Sequence, residues 1–383
     1  MEAKAILELF KVNELTYYTG VPDITFSNLI NLLYDGLPGI THRQAVNQKE
    51  SIFFAGAYHV STGKYGVVYM QHSGLGEAIN PLTSYSGPYT YRIPMLLLIG
   101  WKGGLADEPQ HKQMGGITFK ILDILGVKYE LMPDNLEELD IILKQAKDHM
   151  AKTNQAFAIV IAKENKIEGK NIPERDMASF LTGEKTLIIH RKDIINSVLD
   201  IMEPRDVLIS GTGNMSKEVY KLRNERGEKH NNDFLNIGGM GGTLPQGIEI
   251  ALQHPDRKVY VLEGDGASLM QLGSIVSAGH LKPRNLTHII IDNKGYQSSG
   301  NQPSISKTTS FTGVGWVSGF MSCSTSFILE EFKIKLADFK SRPGPHLMVA
   351  HCDKKCDKNL GEIIINPEKD KQLFMDTLKD KSL

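Results

Sequence analysis

The sequence predicts an α/β protein of two domains, each a parallel β-sheet with helices on both faces. The first observation is the length, because 383 residues exceed one ordinary core and fit two domains of roughly 150 to 200 residues each. The second is that short apolar, β-branched segments closed by Gly or Pro alternate with helical patterns, which is typical of parallel sheets covered on both sides. The third is that the alternation stops once and restarts, which indicates a linker between two similar halves.

The amino-terminal half begins with an amphipathic helix and continues with four predicted strands. Glu2, Lys4 and Glu8 interrupt the apolar residues of the first segment, which favours a helix over a signal peptide. The predicted strands lie within LTYYTGVPD, YGVVYMQHSGLG, RIPMLLLIGWKGG and AFAIVIAKEN. A helix is predicted from Asn135 to Lys152. These elements form a predicted domain at 1–165.

A polar stretch from Lys163 to Lys185 interrupts this pattern with charges, a Pro and two Gly, and we predict the linker at 166–185. The alternation then restarts in RDVLISGTGN, FLNIGGMGG, KVYVLEGDGA, THIIIDNKG and PHLMVAHCD. A second α/β domain is therefore predicted at 186–383.

The composition excludes several classes of protein. The chain has 43 basic and 44 acidic side chains, so its charge gives no support for nucleic acid or an anionic membrane as a partner. No apolar run approaches the length of a membrane span. The three cysteines, Cys323, Cys352 and Cys356, fit free thiols in a reducing cytosol and predict a cytoplasmic protein. Cys352 and Cys356 beside His351 lack the second ligand pair that a zinc site needs.

Two neighbouring corners of the carboxyl half carry residues suited to a metal ion. Ligands of open parallel sheets bind beyond the carboxyl ends of the strands. Asp265 lies in the corner Gly264-Asp265-Gly266, and Asn293 follows the next strand, so both should face one crevice. A carboxylate, an amide oxygen and the main-chain carbonyl of Gly295 form a hard oxygen site suited to Mg²⁺. Read separately, Asp265 and Asn293 could each be ordinary turn residues.

The spacing between the two corners is more informative than either corner alone. Gly-Asp-Gly, followed by positions 267–291 and then Asp292-Asn293, has the spacing of the thiamine diphosphate signature, and the carboxyl domain resembles the diphosphate-binding domain of thiamine diphosphate enzymes. The resemblance implies that Asp265, Asn293 and the Gly295 carbonyl hold Mg²⁺ against the cofactor diphosphate, and that the amino domain binds the aminopyrimidine. Met240 would be the apolar wedge that bends the cofactor, although a core methionine is the alternative. The implied cofactor contacts are Ser73, Gly74, Gly211, Thr212, Gly213, Gly239, Met240, Gly241, Gly264, Asp265, Gly266, Ala267, Ser268, Asn293, Gly295 and Tyr296.

A nicotinamide dehydrogenase is a weaker alternative. Gly211-Thr212-Gly213 follows a predicted strand, but Ser216 stands where the third glycine of that motif belongs. The next predicted strand also ends without the acid that binds the ribose.

The two-domain layout resembles the short 2-oxo acid decarboxylases, first those that act on phosphonopyruvate and second those that act on sulfopyruvate. The matching segments are GVPD, AYHVSTGK, VYMQHSGLGEAINPLTS, PMLLLIGWKG, DEPQHKQMGGIT, HPDRKVYVLEGDGASLMQLG and GNQPS. The resemblance implies conversion of phosphonopyruvate to phosphonoacetaldehyde and carbon dioxide. Tyr296 and Gln297 replace a His-Glu pair of that family, so a carboligase and a weakly active thiamine-binding relative stay open as alternatives.

Proton transfer near the cofactor is assigned to Asp23 and His111, which follow strand ends of the amino domain. Asp23 could instead cap the helix that follows it. His72, with Ser73 and Gly74, ends another strand and could contact the aminopyrimidine. The family also pairs the two domains across subunits, which implies self-association as a dimer or higher oligomer.

The activating glutamate of thiamine enzymes falls on Gln48 when the sequence is counted back from the matching STG, and the nearest acid is Glu50. Two residues along a helix rotate a side chain by about 200°, so Glu50 needs a local register shift to take this role. We predict that Gln48 occupies the position and that Glu50 complements the helix dipole. The alternative is that Glu50 is the catalytic acid.

Overall fold

The computed structural model describes residues 1–103, 107–169, 189–355, 360 and 367–380. The chain divides into two compact units, which are Met1–Pro173 with Tyr296–Pro303 and Glu174–Gly295 with Ser304–Leu383. The segment Tyr296–Pro303 thus groups with the first unit, although the sequence places it within the second predicted domain. Gln44 Nε2 donates to the Pro303 carbonyl at 2.8 Å, and Gln302 Nε2 donates to Asn31 Oδ1 at 3.1 Å. Cys356 and most of the predicted linker lie outside the described residues.

The first unit contains a parallel sheet of six strands. Its strands are β1 (Tyr17–Gly20), β2 (Thr41–Gln44), β3 (Gly66–Gln71), β4 (Met95–Trp101), β5 (Lys128–Leu131) and β6 (Phe157–Ala162). Its helices are α1 (Ala3–Val12), α2 (Ser27–Asp35), α3 (Gln48–Thr62), α4 (Leu75–Ser84), α5 (Pro109–Ile124) and α6 (Leu136–Thr153). The strand order is β2-β1-β3-β4-β6-β5. The helix predicted over 135–152 is therefore α6, displaced by one residue.

Helices cover both faces of this sheet, as predicted. Leu96 and Leu98 of β4 belong to a core formed with residues of α1, α2 and α6. Leu97 and Ile99, which alternate with them, belong to a second core with residues of α3, α4 and α5. Burial of each such side chain stabilises the fold by roughly 1.5–3 kcal/mol, which explains why β4 is apolar at every position and not at every second one.

Asparagine caps fix where two helices of the first unit begin. Asn47 Oδ1 accepts from the Glu50 backbone N–H at 2.8 Å, and Asn135 Oδ1 accepts from the Glu138 N–H at 2.9 Å. Both bonds satisfy donors that lack intrahelical partners. The first cap makes Gln48 the first residue of α3.

The second unit contains another parallel sheet of six strands. These strands are β7 (Val207–Ser210), β8 (Asp233–Leu235), β9 (Val259–Gly264), β10 (Leu286–Asp292), β13 (Ser322–Ser326) and β14 (His346–His351), while β11 (Gly295–Tyr296) and β12 (Gln302–Pro303) pair separately. The helices are α7 (Arg191–Ile201), α8 (Asn214–Glu225), α9 (Thr243–Gln253), α10 (Asp265–Met270), α11 (Gly273–Leu281), α12 (Phe311–Ser318), α13 (Leu329–Ser341) and α14 (Pro367–Lys379). The strand order is β13-β14-β10-β9-β7-β8. When the six strands are numbered along the chain and read from β8, this is the same order as in the first sheet.

Three strands that the sequence did not predict lie at sheet edges. They are β2, β5 and β13, with the sequences THRQ, KYEL and SCSTS. Each is partly exposed along most of its length, so it lacks the apolar pattern that identifies the central strands. Among the described residues, no helix is both long enough and apolar enough to cross a membrane.

Candidate active site

An acid and two imidazoles meet at the carboxyl edge of the first sheet. The strands β1, β3 and β4 are neighbours, and Asp23, His72 and His111 follow them in that order. The three side chains are buried, with 1%, 0% and 8% exposure respectively. The imidazole rings of His72 and His111 lie 5.1 Å apart at an angle of 63°. Burial lowers the pKa of both histidines, although the negative charge of Asp23 opposes this shift in each.

The two carboxylate oxygens of Asp23 have different surroundings. Oδ1 accepts the Thr25 backbone N–H at 2.7 Å and caps a short 3₁₀ helix, Ile24–Phe26. Oδ2 is buried without a hydrogen-bond partner within the described part of the chain. Gly100 of β4 makes room for this carboxylate, because a Cβ at position 100 would lie 2.5 Å from Asp23 Oδ1.

The two imidazoles also keep one nitrogen each free. His72 Nδ1 lies 3.1 Å from the Gly100 carbonyl and 3.3 Å from the Lys102 backbone nitrogen. His72 Nε2 and His111 Nδ1 are buried and have no partner among the residues that the structure describes. Unpaired buried polar atoms are unfavourable, so three of them in one cluster mark a candidate site for a polar ligand.

The start of α3 distinguishes Gln48 from Glu50. Glu50 Oε2 accepts the Val46 backbone N–H at 2.7 Å, so this carboxylate caps its own helix. Gln48 is 6% exposed, and its Oε1 has no partner among the described residues. The Gln48 amide lies against Gly74, where a Cβ would come within 2.4 Å of Nε2. Gly74 is buried and Ser73 is exposed in the 3₁₀ helix that follows β3.

In the second unit, Asp265 and Asn293 directly follow the neighbouring strands β9 and β10. Asp265 is 2% exposed and accepts a hydrogen bond from the Ser304 hydroxyl. Burial, together with the negative charge of Asp292, raises the pKa of Asp265 to about 7. Asn293 Oδ1 accepts the Gly295 N–H at 3.0 Å, which fixes the turn that follows β10.

The remaining predicted contacts of the second unit line its glycine-rich corners. Gly213 has a φ of 77° and precedes α8, directly after Gly211 and Thr212. Met240 is 37% exposed between Gly239 and Gly241, whose φ angles are 68° and 88°. Met240 therefore does not belong to the core. Gly264 precedes α10, and Gly266, Ala267 and Ser268 are buried within this helix.

Comparison with known proteins identifies the family. Residues 2–119 match the description "Thiamine pyrophosphate enzyme, N-terminal TPP binding domain", and residues 211–347 match "Thiamine pyrophosphate enzyme, C-terminal TPP binding domain". The chain belongs to the thiamine pyrophosphate enzymes. Its cofactor is thus thiamine pyrophosphate, which is the predicted thiamine diphosphate under its other name.

Three relatives refine this similarity. A phosphonopyruvate decarboxylase of Streptomyces viridochromogenes is 29% identical over 344 residues, which cover 87% of this chain and 84% of the relative. Two proteins of Methanocaldococcus jannaschii match shorter parts. Sulfopyruvate decarboxylase subunit beta is 31% identical over 49% of this chain and 97% of its own length. Subunit alpha is 30% identical over 41% of this chain and 90% of its own length.

The residues of this thiamine pyrophosphate enzyme fit the cofactor and its metal. Burial and the neighbouring Asp292 carboxylate raise the pKa of Asp265, and a bound divalent cation would instead favour its charged form. Carboxylate, amide and carbonyl oxygens are the donors that Mg²⁺ prefers. In the first unit, the buried Gln48 Oε1 offers an acceptor for a heterocycle. Among the described residues, no cluster of three His, Cys, Asp or Glu side chains forms an alternative metal site.

Sequence reasoning missed three features of these sites. It gave no role to Ser304 and Ser306, whose hydroxyls donate to Asp265 and Asp292, although GNQPS marked the segment. It assigned His72 to the aminopyrimidine and not to the group of Asp23 and His111. It also overlooked Gly100, because the apolar sequence of β4 does not indicate that Gly100 contacts Asp23, which lies 77 positions earlier in the chain.

Proposed function

We propose that this thiamine pyrophosphate enzyme decarboxylates a 2-oxo acid and that phosphonopyruvate is its substrate. The Streptomyces relative is named for this activity and matches most of both chains. The observation that carries the proposal is the buried group of Asp23, His72 and His111, because decarboxylation followed by aldehyde release requires a positioned proton donor.

Three atoms of this group have no hydrogen-bond partner among the described residues, and they can move a proton to the product. They are Asp23 Oδ2, His72 Nε2 and His111 Nδ1. Because burial lowers the pKa of His72 and His111, both imidazoles are neutral near pH 7. A neutral imidazole whose second nitrogen faces the substrate can hold or pass on a proton. The negative Asp23 carboxylate beside the rings stabilises the protonated form when it appears. His111 is the proposed donor, and it is charged only while it carries the transferred proton beside Asp23.

The second unit would bind the phosphate end of the cofactor. When bound, thiamine pyrophosphate supplies a carbon nucleophile and an electron sink for the charge that carbon dioxide leaves behind. Asp265, Asn293 and the Gly295 carbonyl would hold Mg²⁺ against the phosphate oxygens. The α8 amino terminus, preceded by Gly213, presents backbone N–H groups suited to an anion. Met240, which is exposed between two glycines, would contact the apolar part of the cofactor.

Lys102 gives a reason to prefer a doubly anionic substrate. Its positive charge is close enough to lower the pKa of both His72 and His111. A 2-oxo acid that also carries a phosphonate would place an anion near this ammonium group.

The working enzyme is proposed to be an oligomer in which the amino domain of one copy and the carboxyl domain of another share a cofactor. Two separately named sulfopyruvate decarboxylase subunits match parts of this chain, which supports cooperation of two binding domains. Sedimentation at the assay concentration is the test. A fully active monomer would contradict this part of the proposal.

The substrate is tested with a panel of 2-oxo acids. The full chain, supplied with thiamine pyrophosphate and Mg²⁺, is incubated with phosphonopyruvate, sulfopyruvate or pyruvate. Released carbon dioxide and the products, followed by ³¹P NMR for the phosphonate, are then measured. Phosphonoacetaldehyde as the main product supports the proposal. A coupled hydroxyketone would indicate a carboligase instead, and cofactor binding without turnover of any acid would indicate a weakly active relative.

Two histidine variants separate chemistry from folding. His111→Gln should lower the decarboxylation rate by ~10²–10⁴-fold while cofactor affinity persists. His59→Gln is the matched control, because His59 lies in the same unit and its ring contacts nearby residues, the Lys64 carbonyl at 3.0 Å and the Tyr65 ring. Equal activity of both variants would remove His111 from the mechanism.

A further inference from the structure

Glu77 lies beside the position from which the activating glutamate is missing. It stands in the first turn of α4, and its carboxylate accepts the backbone N–H of Gln48, the first residue of α3. Glu77 is exposed as a residue, yet burial of its carboxyl group raises its pKa. A carboxylate here complements the positive end of the α3 dipole, so a purely structural role must be distinguished from a functional one.

The Gln48 side chain gives the reason to look beyond helix capping. It is buried against Gly74, with Oε1 unpartnered within the described residues, and it carries no charge. The neighbouring acid Glu50 is already bound to the Val46 N–H and points back along its own helix. Of these two acids, Glu77 is the one whose carboxylate reaches Gln48 itself.

We propose that Glu77 is a positioning residue that supplies the negative charge which Gln48 lacks, so that Gln48 and Glu77 together replace a single glutamate. This inference rests on the proposed function, in which Gln48 contacts the aminopyrimidine. Gln48 provides the hydrogen-bonding atoms of the contact. Glu77 provides the field that favours a protonated, positively charged ring at that contact. The two roles that one glutamate side chain combines are thereby divided between α3 and α4.

The test is a double-mutant cycle with Gln48→Glu, Glu77→Gln and the double variant. The dissociation constant for thiamine pyrophosphate with Mg²⁺ is measured by calorimetry, and the melting temperature is measured without cofactor. With Gln48 present, Glu77→Gln should weaken cofactor binding by ~3- to 10-fold. In the Gln48→Glu background, the same change should strengthen binding and raise the melting temperature, because it removes repulsion between two adjacent carboxylates.

The reversal of sign in the cofactor affinity is what a structural cap cannot produce, because relief of carboxylate repulsion by itself raises the melting temperature in the Gln48→Glu background. If Glu77 only stabilises the start of α3, Glu77→Gln leaves the affinity unchanged with Gln48 present, and the inference is wrong. Glu77→Asp keeps the charge and should retain most of the affinity. Glu138→Gln is the matched control, because Glu138 is also a first-turn acid, on α6, and it should leave the affinity unchanged.

The design also separates this inference from the proposed function. If the unmodified chain binds the cofactor and decarboxylates phosphonopyruvate but shows no reversal of sign, only the role of Glu77 fails. If the unmodified chain does not bind thiamine pyrophosphate, the proposed function fails, and the role of Glu77 fails with it.

Discussion

Replacement of Gly100 by alanine tests whether the position of Asp23 controls the reaction. A Cβ at Gly100 would lie 2.5 Å from Asp23 Oδ1 and 3.0 Å from both Asp23 Cγ and Phe26 Cε1, whereas ordinary contact begins near 3.4 Å. The carboxylate must therefore move by about 0.9 Å. The capping bond from Thr25 at 2.7 Å resists this movement. The substitution adds one carbon to the strand and changes no atom of the proposed proton-transfer group.

The expected result is a large loss of turnover with a moderate loss of stability. Misplacement of a catalytic group by about 1 Å is worth on the order of 10²-fold in rate, and overpacking of a buried site typically costs ~1–3 kcal/mol. The assay compares kcat for decarboxylation with the free energy of unfolding in urea. Gly116→Ala is the control, since Gly116 lies in α5 and its added Cβ would have no described atom outside its own helical turn within 4 Å, and alanine favours the helix by ~0.5–1 kcal/mol. Normal turnover in a folded Gly100→Ala protein would refute the link between Asp23 geometry and rate.

Three further predictions concern the cofactor and the stability of the first unit. Asp265→Ala should abolish the rise in melting temperature that thiamine pyrophosphate with Mg²⁺ produces, and an undiminished rise would remove Asp265 from the metal site. Gln48→Glu should accelerate hydrogen–deuterium exchange at cofactor C2, and the acceleration should be largest when Glu77→Gln is also present. Glu50→Gln should instead lower the free energy of unfolding by ~1 kcal/mol, because the bond to the Val46 N–H is lost. Collapse of exchange in Glu50→Gln, with no change in Gln48→Glu, would identify Glu50 as the catalytic acid. Burial lowers the pKa of His42 to about 4 from 6.5, so its contribution to stability is complete above pH 6.5 and is lost as pH falls towards 4. The loss should be on the order of 2 kcal/mol, and urea titrations of His42→Gln that show the same pH dependence would contradict it.

The sequence alone predicted the central strands and the corners that follow them. An apolar run such as MLLLIG indicates burial on both faces of a sheet, because the residues of β4 from Met95 to Ile99 belong alternately to two cores. The Gly-Asp-Gly and Asp-Asn corners were equally visible, since their residue types reflect local turns and hard-oxygen chemistry. The spacing of these corners resembles the thiamine diphosphate signature, and this resemblance implied the family and its cofactor. The roles of the individual site residues stay predictions, to be decided by the variants described above.

The tertiary structure decided which distant residues meet. The edge strands β2, β5 and β13 are defined by pairing with a neighbour, which leaves no apolar pattern in their own sequences. Asp23, His72 and His111 come together only because β1, β3 and β4 are adjacent in the sheet. Gln48 and Glu50 differ in their surroundings because the Asn47 cap sets the register of α3, which turns one side chain inward and the other back along the helix. Burial patterns are local and can be read from a sequence, whereas strand order and helix register depend on contacts between residues far apart in the chain.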